Sequence, residues 1–557
     1  MALHYRFRAP IAGAFVALMV LFAPAASAEA TASADDPNAP FALYLSWQQD
    51  PTTTMTVQWI TDPGHRLPEI EYWEIDEQRR SESVSTVSMV FTDRTLHTAE
   101  LTGLSPATEY RFRLFGSGLG ESTRDYSFRT MPADAEQPLR IAVGGDIRHR
   151  AEWMERTARQ AMRFDPDFMI WGGDFAYADG KRENLHRWDE FFGVMMDTLI
   201  TDEGRVVPVV MAIGNHEVEG HYYWENGRTR EAYRDSDAFR SSIAPYFYNL
   251  FAFPGHPGYN ALDFGDYLSL IVLDTDHTGP VEGKQAQWLR ERLAERDGVT
   301  HVLPIYHVPA YPSVRDFDGQ TPTRIREHWV PLFEQYGVRL AFEHHDHAYK
   351  RTVPIREGKP DDTGVIYVGD GAWGVGTREV HNPEQTWYLQ RAESKRHFIL
   401  LTITGEHLDL KAIDEEGQLI DHFVAGASGG AGEETAAQAE DSPQAVVRRF
   451  SAAILDMDLE SALTMVAPSS PAEKAVRQGM QLLAKTENPN IPGDAIRLIR
   501  AMMTKGWSYA SIGTGSIDGE TAAVPVRRPD QDDREIRLIR VKGEWLIQEP
   551  ADIIELR

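Results

Sequence analysis

Between residues 41 and 130, apolar and polar positions alternate in short runs, among them Met55-Thr56-Val57-Gln58-Trp59, Glu109-Tyr110-Arg111-Phe112-Arg113-Leu114 and Tyr126-Ser127-Phe128. Alternation broken by frequent turn residues predicts antiparallel strands with one buried face, and hence a β-sandwich over 41–131. From residue 139 the pattern changes: apolar runs at 139–143, 168–171, 209–213, 268–273, 301–306, 339–342 and 365–368 predict buried strands. Helical periodicity over 151–163 and 285–296 supplies the helices of a layered α/β domain, expected to span 138–425 and to close with alternating strands over 400–423. Residues 426–442 are Ala, Gly, Glu and Ser without apolar periodicity and read as a flexible linker. Beyond it, a helix presenting Val446, Val447, Phe450 and Ile454 on one face precedes strands at 521–526 and 535–541 and a Lys542-Gly543 turn into Glu544-Trp545-Leu546-Ile547. This order predicts a small α+β accessory domain over 443–557.

Two of these units resemble known folds. The stretch Leu101-Thr102-Gly103-Leu104-Ser105-Pro106-Ala107-Thr108-Glu109-Tyr110 resembles the turn into a late strand of fibronectin type III domains, where the tyrosine pins a corner of the sandwich. The C-terminal order is similar to the cone of nuclear-transport-factor-like domains. The expected fold class is therefore multidomain: a fibronectin III-like β-sandwich, a central α/β domain of layered mixed sheets flanked by helices, and a small α+β domain.

Composition narrows the function. A chain of 557 residues with 42% hydrophobic and 25% charged positions is ordinary for folded, soluble protein. Its formal net charge of −28 repels polymeric nucleic acid but leaves a small phosphorylated substrate open, because bound cations reverse the field locally. The first 28 residues carry His4, Arg6 and Arg8, then an apolar segment over 11–22, then Ala26-Ser27-Ala28 before Glu29. That layout predicts a secretory signal cleaved after Ala28, export to a periplasmic or extracellular location, and no membrane span once it is removed. The apolar core falls short of the roughly 20 residues that cross a bilayer. With no cysteine in the chain, any metal site must use nitrogen and oxygen ligands.

The chemistry-bearing residues repeat one design, an apolar strand followed at its C-terminal end by a metal-competent side chain. They are Gly145-Asp146, Gly173-Asp174 with Tyr177, Gly214-Asn215-His216-Glu217, Tyr306-His307-Val308-Pro309-Ala310-Tyr311, and the cluster His344-His345-Asp346-His347. Strand ends in a layered sheet converge on one crevice, so these groups can meet although 28, 41, 92 and 38 residues separate Asp146, Asp174, Asn215, His307 and His345.

This constellation resembles the purple acid phosphatases within the calcineurin-like metallophosphoesterase superfamily. The resemblance covers 139 to about 400, and the N-terminal sandwich matches the non-catalytic domain of their larger members. It implies a binuclear centre with Asp146, Tyr177 and His347 on one metal, Asn215, His307 and His345 on the other, and Asp174 bridging metals about 3.5 Å apart. Phenolate and carboxylates suit iron(III), and the imidazole and amide set suits divalent iron, zinc or manganese. The implied reaction is hydrolysis of a phosphomonoester by metal-bound hydroxide, with His216 touching phosphate or leaving group as general acid unless Glu217 holds it as a structural pair.

The sequence departs from the family at the crevice rim. Ile147-Arg148-His149 follows Asp146, Ser313-Val314-Arg315-Asp316 stands where plant members carry paired histidines, and His344 replaces a glycine. Arg148 is expected either to clamp phosphate or to pair with a carboxylate. Arg315 is expected to replace one phosphate contact, and His344 to line the crevice against substrate rather than pack. Asp346 should point away from the metals. Two other readings stay open: a phosphodiesterase or nucleotidase on the same centre, and a surface- or ligand-binding protein with a vestigial metal site.

Overall fold

The structure, a computed structural model, describes residues 38–426 except 64–66, 75–78, 83, 90–91, 117–121, 225–235 and 370, and parts of 446–549. The signal segment over 1–28, nearly all of the linker and the Lys542-Gly543 turn lie outside the described residues.

The N-terminal unit is the expected fibronectin III-like sandwich. One antiparallel sheet has the order Ala42–Ser46, Met55–Thr61, Thr95–Leu101, Val84–Ser88, and the other the order Arg80–Glu82, Glu69–Glu74, Glu109–Phe115, Tyr126–Arg129. Alternation places Tyr110, Phe112 and Leu114 inside while Glu109 and Arg111 face solvent. The Tyr110 hydroxyl accepts from the Ser105 amide at 2.9 Å and donates to Glu74, so the tyrosine ties its own turn to the neighbouring strand of the same sheet. Trp47, fully buried, packs edge-on against Phe168 and Phe264 of the following domain at 5.5 and 5.9 Å. Burying a side chain of that size contributes about 2–3 kcal/mol, here to the joint between the two units.

The central domain has two mixed sheets face to face. In the first, Val209–Met211, Phe168–Trp171 and Leu139–Gly144 run parallel, and His397–Thr404, His407–Asp414 and Leu419–Gly426 extend it antiparallel. In the second, Leu268–Val272, His301–Ile305, Leu340–Glu343 and Ile366–Gly369 are parallel, Asn260–Phe264 and Tyr349–Thr352 flank them antiparallel, and Leu389–Glu393 pairs antiparallel with Tyr349–Thr352 at the edge. Ile141, Val143 and Ile170 of one sheet share a core with Leu303, Ile305 and Phe342 of the other. Helices Ala151–Met162 and Leu185–Thr198 cover the outer face of the first sheet, and Lys284–Ala294, Gln320–His328 and Val330–Gln335 that of the second. Strands buried on both faces read as unbroken apolar runs, which is why the pattern located them within a residue or two.

Near the C-terminus, Thr521–Arg528, Gln531–Val541 and Glu544–Glu549 form an antiparallel sheet with the short strands Ser511–Ile512 and Ser516–Asp518. Val446, Val447 and Phe450 are buried, in keeping with the apolar face expected there, and Ile454 lies outside the described residues. Among the described residues, no helix is long and apolar enough to cross a membrane.

Candidate metal centre

Parallel strands bring their C-terminal ends to one edge, and the chain leaves each by a sharp turn. Asp146, Asp174, Tyr177, His345 and His347 all have positive φ, between 55° and 79°. The left-handed region costs a non-glycine residue about 1–2 kcal/mol, so the surroundings must hold these turns in place. Glu217 holds two of them. Its carboxylate accepts the amides of Gly214 and Asp174 on Oε2 and of Phe175 on Oε1, each at 2.8 Å, locking the turn that carries Asp174 to the 3-10 turn Asn215–Glu217. Gly173, at φ 105°, lets these backbones meet, for a Cβ there would lie 2.7 Å from Gly214 Cα and 2.7 Å from His307 Nδ1.

The side chains fall into two groups. Tyr177 Oη lies 3.2 Å from Asp146 Oδ1 and 3.2 Å from His347 Nε2, and His347 Nε2 is 3.0 Å from Asp146 Oδ1. In the second group, His307 Nε2 lies 3.2 Å from Asn215 Oδ1 and 3.0 Å from His345 Nδ1. Asp174 Oδ2 joins it, 3.3 Å from His307 Nε2, while Oδ1 accepts the His216 amide at 2.8 Å. The His345 amide donates to Asp146 Oδ2 at 2.9 Å and links the groups. Ligand atoms of Asp146, Asp174, His307 and His345 all lie within 4.8 Å of one another, and all four residues are buried.

This donor set fits a pair of hard or borderline cations. Asp174 Oδ2 is buried without a hydrogen-bond donor. Each of two imidazoles gives its other nitrogen to a backbone carbonyl, His307 Nδ1 to Gly172 at 2.8 Å and His347 Nδ1 to Gly376 at 3.2 Å, which turns Nε2 inward as metal-binding histidines require. Burial alone would raise the Asp174 carboxyl, yet His307 and His216 pull it well below the ordinary range. His307 is correspondingly raised to about 9, burial opposing and Asp174 and Asp146 prevailing. Burial first, then Asp146 and Asp174, push the Tyr177 phenol well above 10. Cations binding here must therefore displace protons.

At the rim one expectation fails and two open alternatives are decided. His344 does not line the crevice: it is 1% exposed, and its ring fills the space above Gly145 and Gly172, where an added Cβ would lie 2.6 and 1.7 Å from ring atoms. Burial lowers it to about 3, so the ring packs neutral, with both nitrogens lacking hydrogen-bond partners. Arg148 does not face the site as a phosphate clamp, because helix Leu185–Thr198 brings Glu190 into an ion pair with it and buries it at 5% exposure. Glu217 is not the partner of His216. Asp179 is, its Oδ1 lying 2.6 Å from His216 Nδ1; burial opposes the charged ring, but Asp174 and then Asp179 raise it above the ordinary histidine value. Asp346 points away as expected, accepting the amides of Val314 and Arg315 and the Arg315 guanidinium.

Three features escaped sequence reading. Asp179, His216 and His221 form a second, half-exposed group with ligand atoms within 4.8 Å of one another. Gly371, at φ 61°, sits so close to the site that a Cβ would lie 1.8 Å from Asp146 Oδ2. The loop it opens delivers the Gly376 carbonyl to His347 and the Arg378 guanidinium to the His345 carbonyl, 3.3 Å away. A run of glycines after the strand Ile366–Gly369 was the one available sign.

Comparison with known proteins agrees with this arrangement. The family "Purple acid Phosphatase, N-terminal domain" matches residues 40–130, and "Calcineurin-like phosphoesterase" matches residues 139–349. The chain is 27% identical over 394 residues to probable purple acid phosphatase 20 of Arabidopsis thaliana, covering 67% of this chain and 84% of that one. It is 26% identical over 332 residues to purple acid phosphatase 21 of the same plant, covering 57% and 68%. In fold it is similar to purple acid phosphatase PPD1 from yellow lupin (Lupinus luteus) seeds, with a TM-score of 0.59 at 20% identity over 70% of this chain and 75% of that one. In order along the chain it thus carries a match to the N-terminal domain of purple acid phosphatases and a match to calcineurin-like phosphoesterases, and it is similar to relatives named as purple acid phosphatases.

Proposed function

We propose that the protein is an exported phosphohydrolase that cleaves phosphomonoesters at a centre of iron(III) and a divalent iron, zinc or manganese ion. The observation that carries this reading is the meeting of seven side chains from five strand ends in two adjoining groups, one of them containing a buried phenol between a carboxylate and an imidazole. Asp146, Tyr177 and His347 would hold the iron, Asn215, His307 and His345 would hold the divalent ion, and Asp174 would serve both. When bound, the metals acidify water and neutralise charge that builds on the phosphoryl oxygens.

The chain's own groups supply the rest. His216, 26% exposed at the side chain, has its Nδ1 fixed by Asp179, and its Nε2 gives a proton to the departing oxygen. Asn215 and Arg315 orient the phosphate. Relatives named as phosphatases support monoesters as the substrate. Export is supported by the signal-like layout of the first 28 residues.

The test is metal analysis and a visible spectrum of the purified protein, followed by assays of a simple monoester and a simple diester side by side. Two metals per chain, an absorption band of iron-phenolate character and faster monoester turnover are expected. Faster diester turnover overturns the substrate assignment, and metal-loaded protein that hydrolyses neither ester overturns the enzyme. A secreted form beginning at a residue other than Glu29 overturns the cleavage site.

A further inference from the structure

Two loops meet over the carbonyl of His345. The loop over 313–316 brings Arg315, whose Nη1 donates to that oxygen at 3.1 Å, and the loop over 371–381 brings Arg378, whose Nη1 donates to it at 3.3 Å. The loops brace each other: the His381 amide donates to the Ser313 carbonyl at 2.7 Å, and His381 Nε2 lies 2.9 Å from the Arg315 carbonyl. Arg378 is anchored through its backbone, its amide donating to the His347 carbonyl at 3.1 Å. Both arginines are half-buried.

Their charges are balanced differently. Arg315 is paired with Asp346 at 3.1 Å. Arg378 has no carboxylate of the described residues within 4.0 Å, although it stands beside Asp146 and Tyr177 closely enough to act on both electrostatically. A half-buried guanidinium without a counter-ion is costly to keep, and an arriving anion offsets that cost. Guanidinium is also the side chain best shaped to grip phosphate oxygens.

We propose that Arg378 and Arg315 form a two-armed clamp on the phosphoryl oxygens that the metals do not take, and that this clamp selects dianionic phosphomonoesters over monoanionic diesters. The inference rests on the metal-centre reading above and goes beyond it, since Arg378 has no place there. A monoester dianion presents three terminal oxygens, enough for the metals and both arms. A diester presents two, one charge fewer, and a substituent where an arm must close. Of the two arms, Arg315 stands in the segment after Tyr311 where plant members carry paired histidines, and Arg378 comes from a separate loop.

Arg378→Met and Arg315→Met, singly and together in the metal-loaded full chain, test this with p-nitrophenyl phosphate, bis(p-nitrophenyl) phosphate and inorganic phosphate as inhibitor. Each single change should lower monoester kcat/KM about 30-fold, the loss expected for a charge-assisted hydrogen bond, and weaken phosphate inhibition by a similar factor. Diester kcat/KM should change by less than about threefold, with metal content retained. Unchanged monoester kinetics, or equal losses on both esters at full metal content, overturns the clamp. If the methionine variants do not fold, Arg378→Lys decides, because it keeps the charge without the fork: a wild-type monoester-to-diester ratio and wild-type phosphate inhibition overturn the clamp, and a lowered ratio supports it. Should the wild-type protein hydrolyse neither ester, the phosphohydrolase reading fails by itself. Calorimetric titration of the metal-loaded wild type and Arg378→Met with inorganic phosphate still reads the clamp, which stands if the substitution weakens binding and falls if it does not.

Discussion

His216 Nδ1 lies 2.6 Å from Asp179 Oδ1, and the face of the same imidazole lies 4.2 Å, centroid to centroid, from the Tyr177 ring. The carboxylate fixes which nitrogen bears the inner proton, so Nε2 is the one that can reach a substrate. Asp179→Ala should lower kcat about 10- to 100-fold while metal content stays at the wild-type value. The loss should be larger for an alkyl phosphate than for p-nitrophenyl phosphate, because only the poorer leaving group needs the proton. Equal losses for the two leaving groups exclude His216 as the acid.

Glu217 accepts three amides from two separate turns and is raised to about 7, first by burial and then by Asp174. Glu217→Gln turns one acceptor into a donor facing an amide, which costs about 1–3 kcal/mol. The two turns it joins carry Asp174 and Asn215, so the defect should appear as a 10- to 100-fold weaker hold on metal. Dialysis against a chelator, followed by metal analysis, measures it. Wild-type retention would show that the turns hold their shape unaided.

Much of this was legible because it is local. The parallel strands of the central domain are buried on both faces along nearly their whole length, so their apolar runs stand out, and the residue at each end is read with its run. Asp146, Asp174, Asn215, His307 and His345 were placed together on that ground alone. What side chains pair with across the fold was not legible. For Arg148 the sequence leaves a phosphate clamp and a carboxylate pair both open, because the carboxylate that decides it, Glu190, comes from helix Leu185–Thr198, far along the chain. His344 reads as a surface of the site because it stands where the resembled family has glycine, yet Gly145 and Gly172 open a space beneath the ring that no single segment reveals. Asp179 lacks any pattern of its own and acts only through His216.

His344 therefore tests packing rather than recognition. Its ring fills the space over two glycines, and His344→Ala should leave a cavity costing about 2–3 kcal/mol, seen as a lower thermal midpoint. A selective rise in KM at unchanged stability would return the residue to the substrate surface.

In the sandwich, His97 stacks on Trp59 with centroids 5.2 Å apart and lies 2.9 Å, through Nε2, from Thr61 Oγ1. Burial lowers it to about 4, so the folded protein holds it neutral. The unfolded chain takes up a proton near the ordinary pKa of about 6.5, so this contribution is complete above that value and is lost as pH falls toward 4. Between pH 7 and 4.5 the wild type should lose about 2 kcal/mol more than His97→Phe, allowing for solvent at the ring edge. Denaturant melts of both proteins at the two pH values check it, and parallel losses place the acid sensitivity elsewhere.

Tyr177 joins the metal reading to an observable. Its phenol is kept protonated, well above 10, first by burial and then by the Asp146 and Asp174 carboxylates. Only a strongly acidic cation can take that proton, so loading the site with iron(III) in weakly buffered solution should release about one proton more from the wild type than from Tyr177→Phe. The same substitution should abolish the visible charge-transfer band and leave the hydrogen bond of His347 to the Gly376 carbonyl in place. Because the phenol oxygen is replaced by hydrogen and the ring still packs 4.2 Å from His216, the fold should survive with little change in thermal midpoint. A variant that keeps both the colour and the extra proton would put the iron outside the triangle of Asp146, Tyr177 and His347.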